Sequence, residues 1–236
     1  MGASPIGGLR AALSGTSPAV IDHPALGVVS YEITPVSPDP TVQVAQTIDL
    51  MRRYTLEDLQ APGIQSDAAA CATLAPDPVL SAWDWCKKDG AKGLRFTRDE
   101  NLSRPLWLGG DEAIEVLVRP QDMARLANPQ GDCDCFSMYT AAMLLSLGVP
   151  CSFATIAANP EIPHLFTHVY CVAYPDGERV PMDTSHGPYP GWESPVCFRM
   201  EEWPLGAGAI APGPGNLLLA AAAAYVLWKG LRRYFT

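Results

Sequence analysis

The sequence lacks a cysteine framework. Its seven cysteines are odd in number and follow no regular spacing, so it does not read as a small secreted domain stapled by disulfides. The opening stretch, MGASPIGGLRAALSG, holds no unbroken apolar segment of the kind a secretory signal carries. Both features lead to the expectation of a reducing compartment and mostly free thiols. A myristoylation pattern is missing as well, because Ile6 stands where Ser or Thr is required. Positive charge is scarce: 16 Lys and Arg face 25 Asp and Glu, for a formal net charge of −9. An acidic chain with no Lys/Arg run outside its extreme C-terminus repels phosphate backbones, which argues against nucleic acid as a general partner. There are no internal repeats.

What is present is enough apolar material, 48% of the chain, to bury a globular core. Residues 1–40 are rich in Gly, Pro, Ser and Ala and read as an extended or loosely ordered arm, punctuated by Pro35, Pro38 and Pro40. Thr41 to Leu59 is expected to be a helix, with Val44, Ile48, Met51 and Leu59 near helical spacing and Thr41 as its N-cap. Asp77 to Lys88 reads as a second helix, with Pro78 in its first turn and Gly90 at its stop; Trp83 and Trp85 in it read as packing residues. Gly93–Phe96 and Ala113–Val118 are expected to be short strands, the second ended by Pro120, with a short helix over Asp122 to Leu126.

The region 130–200 carries more information. Phe136 to Leu147 is dense in apolar residues and is followed by Gly148-Val149-Pro150, the pattern of a buried helix with a glycine stop. Ser152–Ala157 and Thr167–Tyr174 read as strands, Asp176-Gly177 as a hairpin turn and Arg179–Met182 as the returning strand. A helix followed by antiparallel strands is an α+β pattern. Domain boundaries follow: a main domain over 41–200, a Pro/Gly linker over 201–216 and an apolar C-terminal helix over 217–236.

Asp132 is a good N-cap for the buried helix, which places Cys133 in the first turn. There the helix dipole and free N–H groups favour an anion, so a lowered thiol pKa is expected. A cysteine nucleophile also needs a base within reach and a third group to orient the base. His168 begins one arm of the predicted hairpin and Asp183 ends the other; counting outward from the turn brings the two close to level. Cys135, two residues along, falls on a different helix face, about 200° away. It reads as a core residue, as do Cys151, Cys171 and Cys197. His186, just past Asp183, is the alternative base. Tyr189 and Trp192 are either cleft walls or ordinary packing residues.

Taken together, Gly-x-Cys-x-x-Phe before a helix ending Leu-Gly-Val-Pro, then His-Val-Tyr on a strand, then Val-Pro-Met-Asp after a turn, resembles the core of the transglutaminase-like, papain-type cysteine peptidase superfamily. The likeness spans about 130–187. More loosely, the chain is similar to small stand-alone members carried by bacteriophages and prophages. The resemblance implies Cys133 as nucleophile, His168 as base and Asp183 as the orienting carboxylate, on a papain-like core. Cys135 departs from it, standing where many bacterial members have an acidic residue. The backbone N–H of Cys133 is the natural oxyanion donor, and the Gln130 side chain is a second candidate.

Two functions of different class follow. One is a thiol-dependent amide hydrolase or acyl transferase working on a protein or peptide amide through an acyl-thioester, with hydrolysis favoured by the resemblance. The other is a non-enzymatic assembly component, for example of a phage particle, anchored by its arm and its apolar tail. Neither requires a cofactor or a metal. Leu217–Trp228 is an unbroken apolar run followed by Lys229, Arg232 and Arg233. At about 18 Å it is short for a bilayer core of about 30 Å, but a helix continued to Phe235 just spans it. The segment is read either as a membrane helix or as one packed on protein. The expected location is the cytoplasm of a bacterial host or a phage particle.

Overall fold

The computed structural model describes residues 19–31, 34, 36–37, 39–103 and 115–205. The first part of the N-terminal arm and the whole apolar tail over 217–236 lie outside the described residues. Among the described residues no helix is long and apolar enough to cross a membrane.

The described chain is a mixed α and β structure. In chain order it runs β1 (Ala19–His23), β2 (Gly27–Tyr31), α1 (Pro40–Asp58), α2 (Pro62–Cys71), α3 (Pro78–Cys86), β3 (Arg95–Phe96), α4 (Asp99–Ser103), α5 (Pro120–Arg125), β4 (Gln130–Gly131), α6 (Cys133–Ser146), β5 (Cys151–Ala157), β6 (His168–Ala173), β7 (Val180–Met182) and β8 (Arg199–Leu205). Strands β5 to β8 form one antiparallel sheet in the order β7-β6-β5-β8.

Helix α6 is the centre of the molecule. Every residue from Asp134 to Leu144 is buried, which suits a helix that is apolar on all sides. One side packs Met138, Ala141 and Leu144 against Phe153, Val169 and Cys171 of the sheet. Another packs Phe136, Tyr139 and Met143 against Ile64, Cys86 and Met123 of the surrounding helices. The helix ends where expected: Gly148 adopts a φ of 80°, and the Val149 N–H returns to Leu144 O at 2.9 Å.

Several expectations need correction. The arm is not unstructured throughout, because residues 19–31 form a β-hairpin. Its buried His23 bonds Leu102 O through Nε2 at 2.8 Å and accepts the Ala25 and Leu26 N–H groups at Nδ1. Helix α1 is capped by Asp39, not Thr41; its Oδ1 accepts from Thr41 N at 2.9 Å. Residues 115–119 form no strand. Their backbone is served by side chains instead: Val116 N donates to Asp99 Oδ2, and Val118 N donates to Cys135 Sγ. The first residues of the expected linker belong to a strand, since Arg199–Leu205 is seven residues long and paired along the full length of β5. Helix α2 has no counterpart in the sequence reading, and Cys197 is exposed, not a core residue.

Candidate active site

Strand β6 begins at His168, and β7 ends one residue before Asp183. The β6–β7 register sets Cys171 opposite Met182. Continued outward, it places His168 and Asp183 on positions of the same parity, one diagonal step apart. His168 Nε2 meets Asp183 Oδ2 at 2.8 Å. Asp183 is 2% exposed and is fully engaged: its Oδ1 accepts from Ser185 Oγ at 2.9 Å and from the His186 N–H at 3.0 Å. Burial alone would raise the Asp183 carboxyl. The bond and charge of His168, with the Ser185 and His186 donors, outweigh burial and hold it below its ordinary value.

Cys133 is the first residue of α6, and Asp132 caps the helix by accepting from Asp134 N at 3.2 Å. The Cys133 N–H therefore has no partner within the helix and stays available to an oxyanion. The first turn of α6 is tied to the start of β6 by Ser137, whose Oγ lies 2.6 Å from Cys133 O and 3.2 Å from Val169 O. The thiol lies beside Val169, the residue after His168, whose backbone N–H favours the thiolate.

Other forces on this thiol run against expectation. Burial first, and then the charges of Asp134 and Asp132, push Cys133 well above its ordinary pKa. Its Sγ donates to Asp134 Oδ1 at 3.5 Å. The residue keeps part of its surface open while the sulfur sits deep among protein atoms. The helix dipole, worth about 0.3–1 kcal/mol at a surface site, is the weaker effect here. The lowered thiol pKa expected from the helix terminus is thus reversed.

Asp132 and Asp134 belong to a wall of acid groups completed by Asp99 and Glu115, which lie far from them in the chain. Ligand atoms of Asp99, Glu115 and Asp132 all fall within 4.8 Å of one another. Burial, and then Glu115, raises Asp99 to about 8. Burial, and then Asp99 and Glu115, raises Asp132 to about 8. Burial, with further help from Asp132 and Asp99, raises Asp134 to about 7. Near neutral pH much of this wall therefore carries protons, which reduces its repulsion of a thiolate.

The remaining predicted residues fall as follows. Cys135 is fully buried, and its thiol donates to Val116 O at 3.3 Å; it secures the loop before α5 and is turned away from the cleft side of α6. Gln130 is committed elsewhere, with Nε2 donating to Ala25 O at 3.2 Å and Oε1 accepting from Thr97 at 3.0 Å. That arrangement fixes the N-terminal hairpin and does not serve as an oxyanion donor. His186 stands edge-on to His168, with ring centroids 5.0 Å apart, and bonds Ser185 Oγ at 2.8 Å. It flanks the base and does not replace it. Trp83 is buried and Tyr189 exposed; Trp83 and Trp192 close on Gly187, where an added Cβ would lie 2.7 Å from Asp183 O.

Sequence reasoning missed Ser137 and Ser185. Ser185 could have been found by its place two residues past Asp183. No family model matches this sequence, and no curated protein or solved structure matches the chain.

Proposed function

We propose that this chain is a thiol-dependent amide hydrolase or acyl transferase acting on a protein or peptide amide. Cys133 is the nucleophile, His168 the base and Asp183 the orienting group. The observation that carries the reading is the 2.8 Å His168–Asp183 bond, made on a strand whose next residue, Val169, is tied through Ser137 to the first turn of the helix that begins at Cys133. A nucleophile opening a buried helix, with its base on the adjoining antiparallel sheet, also supports a papain-type or transglutaminase-like core.

The bond to Asp183 fixes the imidazole. With Nε2–H donating to the carboxylate, Nδ1 is left unprotonated and free to accept. The raised thiol pKa favours a neutral resting pair, so His168 takes the proton as the sulfur attacks. Cys133 Sγ bonds to the carbonyl carbon, and the carbonyl oxygen gains the negative charge beside the Cys133 N–H. His168 then returns the proton to the amide nitrogen, the C–N bond breaks and an acyl-thioester remains. Water, deprotonated by His168, completes hydrolysis; an amine in its place completes transfer.

The non-catalytic assembly reading draws on one observation, the thiol held in its neutral form. Acylation by p-nitrophenyl acetate, mapped by mass spectrometry, separates the two. An active triad predicts acetyl carried on Cys133 in preference to the exposed Cys197, with turnover lost in His168→Ala. Acetylation that favours Cys197 and ignores His168→Ala would overturn the catalytic reading.

A further inference from the structure

The site is walled by acid at Cys133, whereas the surroundings of His186 carry basic groups contributed by three separate segments. His186 follows Asp183 on the loop after β7. Phe96 of β3 packs edge-on against its ring at 4.7 Å, and Arg98 follows two residues later, between β3 and α4. Lys88, just after α3, is anchored beside this loop by its N–H, which donates to Thr184 O at 2.8 Å. Lys88 and Arg98 are both exposed, and both act through space on the His186 ring. Among the described residues neither forms a salt bridge. The nearest acids in sequence are Asp89 and Asp99, and Asp99 is turned inward to the Val116 N–H at 3.1 Å. Solvated lysine and arginine on an acidic chain are ordinary; two unpaired cations on segments that each touch the loop carrying the histidine beside the base are not.

We propose that the amide taken by this site carries a carboxylate close to the scissile bond, held at the rim by Lys88 and Arg98. The proposal rests on the triad reading and adds a substrate class to it. An anion at this rim meets two cations, whereas the Asp132–Asp134 side offers none, so the charge pattern also sets the direction in which a substrate lies.

Alkylation of Cys133 in the full chain tests this without a known substrate. Iodoacetate carries the carboxylate and iodoacetamide is its neutral counterpart. The rate ratio of the two reagents at Cys133, read by mass spectrometry at neutral pH and low salt, is normalised to that of the neutral thiol N-acetylcysteinamide. In the Lys88→Gln/Arg98→Gln double variant the normalised ratio is expected to fall about fivefold, the size expected of two partly solvated charges. The iodoacetamide rate should hold, and added salt should remove the same advantage from the wild type. A ratio that the double variant leaves unchanged overturns the proposal, whatever its starting value. The single variants, each expected to lose part of the effect, serve if the double variant is recovered unfolded. Protection of Cys133 by acetyl-Ala-Ala points to a main-chain terminus as the carboxylate, and protection by acetyl-glutamic acid amide points to an acidic side chain. Failure of the triad reading has a different signature, namely iodoacetamide labelling of Cys133 that is indifferent to His168→Ala.

Discussion

His168 and Asp183 are not level across their strand pair. They sit one diagonal step apart, and the 2.8 Å bond between Nε2 and Oδ2 closes that diagonal. The carboxylate lies past the last paired residue of β7, Met182, so it is positioned by its own bonds to Ser185 and His186 and not by the sheet ladder.

Asp183→Asn keeps the volume but leaves an amide facing two donors and an imidazole. The acylation rate of Cys133 is expected to fall by about 10²-fold or more, because the imidazole loses its favoured tautomer. Asp183→Ala should also lower stability, by about 1–3 kcal/mol, since the His186 N–H loses its acceptor. Single-turnover acylation and urea melts check the two.

Stability should respond to pH with opposite signs in two windows. Asp183 is held below its ordinary value; its contribution is complete above about pH 4 and disappears as pH falls through the lower folded value. Asp99, Asp132 and Asp134 are raised to about 8, about 8 and about 7. The folded chain holds protons that the unfolded chain has released above about pH 4. Rising pH therefore favours unfolding until those values are passed. Thermal midpoints should drop by several degrees between about pH 5 and about pH 8, and Asp134→Asn should flatten the drop.

Cys135 is no rival nucleophile. Cys135→Ala is expected to leave p-nitrophenyl acetate turnover within about twofold, while weakening the loop at Val116 and Val118 by about 1 kcal/mol. Cys133→Ala should abolish turnover with little loss of stability. Turnover lost in the Cys135 variant alone would refute this assignment.

Gly131→Ala is expected to be far costlier than its size suggests. Its Cβ would lie 2.3 Å from Cys135 Cβ and 2.7 Å from Cys135 Sγ, within a buried turn of α6 that cannot give way. A loss of about 1–3 kcal/mol follows, measurable by denaturant melts, with slower acylation of Cys133 because the helix start must shift.

The parts of this molecule legible in the sequence are those fixed by local chemistry. Asp132 as a cap, Gly148 as a stop and Asp176-Gly177 as a turn each act within a few residues, and with the hairpin parity they locate Cys133, His168 and Asp183. Strand β8 was illegible because RMEEWPL has no clean alternation and adjoins a Pro/Gly-rich stretch. Its conformation comes from pairing with β5, and β5 is distant in sequence. The hairpin at 19–31 left a fainter trace, with Val20-Ile21 and Val28-Val29 either side of a turn that starts at Pro24 and is closed by Gly27 at the head of β2. The reversed thiol pKa was only partly legible, in the acids on either side of Cys133. It depends first on burial, which only the folded chain supplies, and then on the flanking Asp134 and Asp132, with Glu115 brought near by the fold.

Strand β5 is buried at all seven of its residues and has partners on both edges, one close behind it and the other at the far end of the described chain. Until Arg199–Leu205 has emerged from the ribosome, β5 presents a bare apolar edge with no charge or proline in it, a ready template for another chain. Closing that edge requires bringing distant segments together, which slows folding. A chain cut short before Arg199 should therefore fail by aggregating, even though Cys133, His168 and Asp183 all precede the cut.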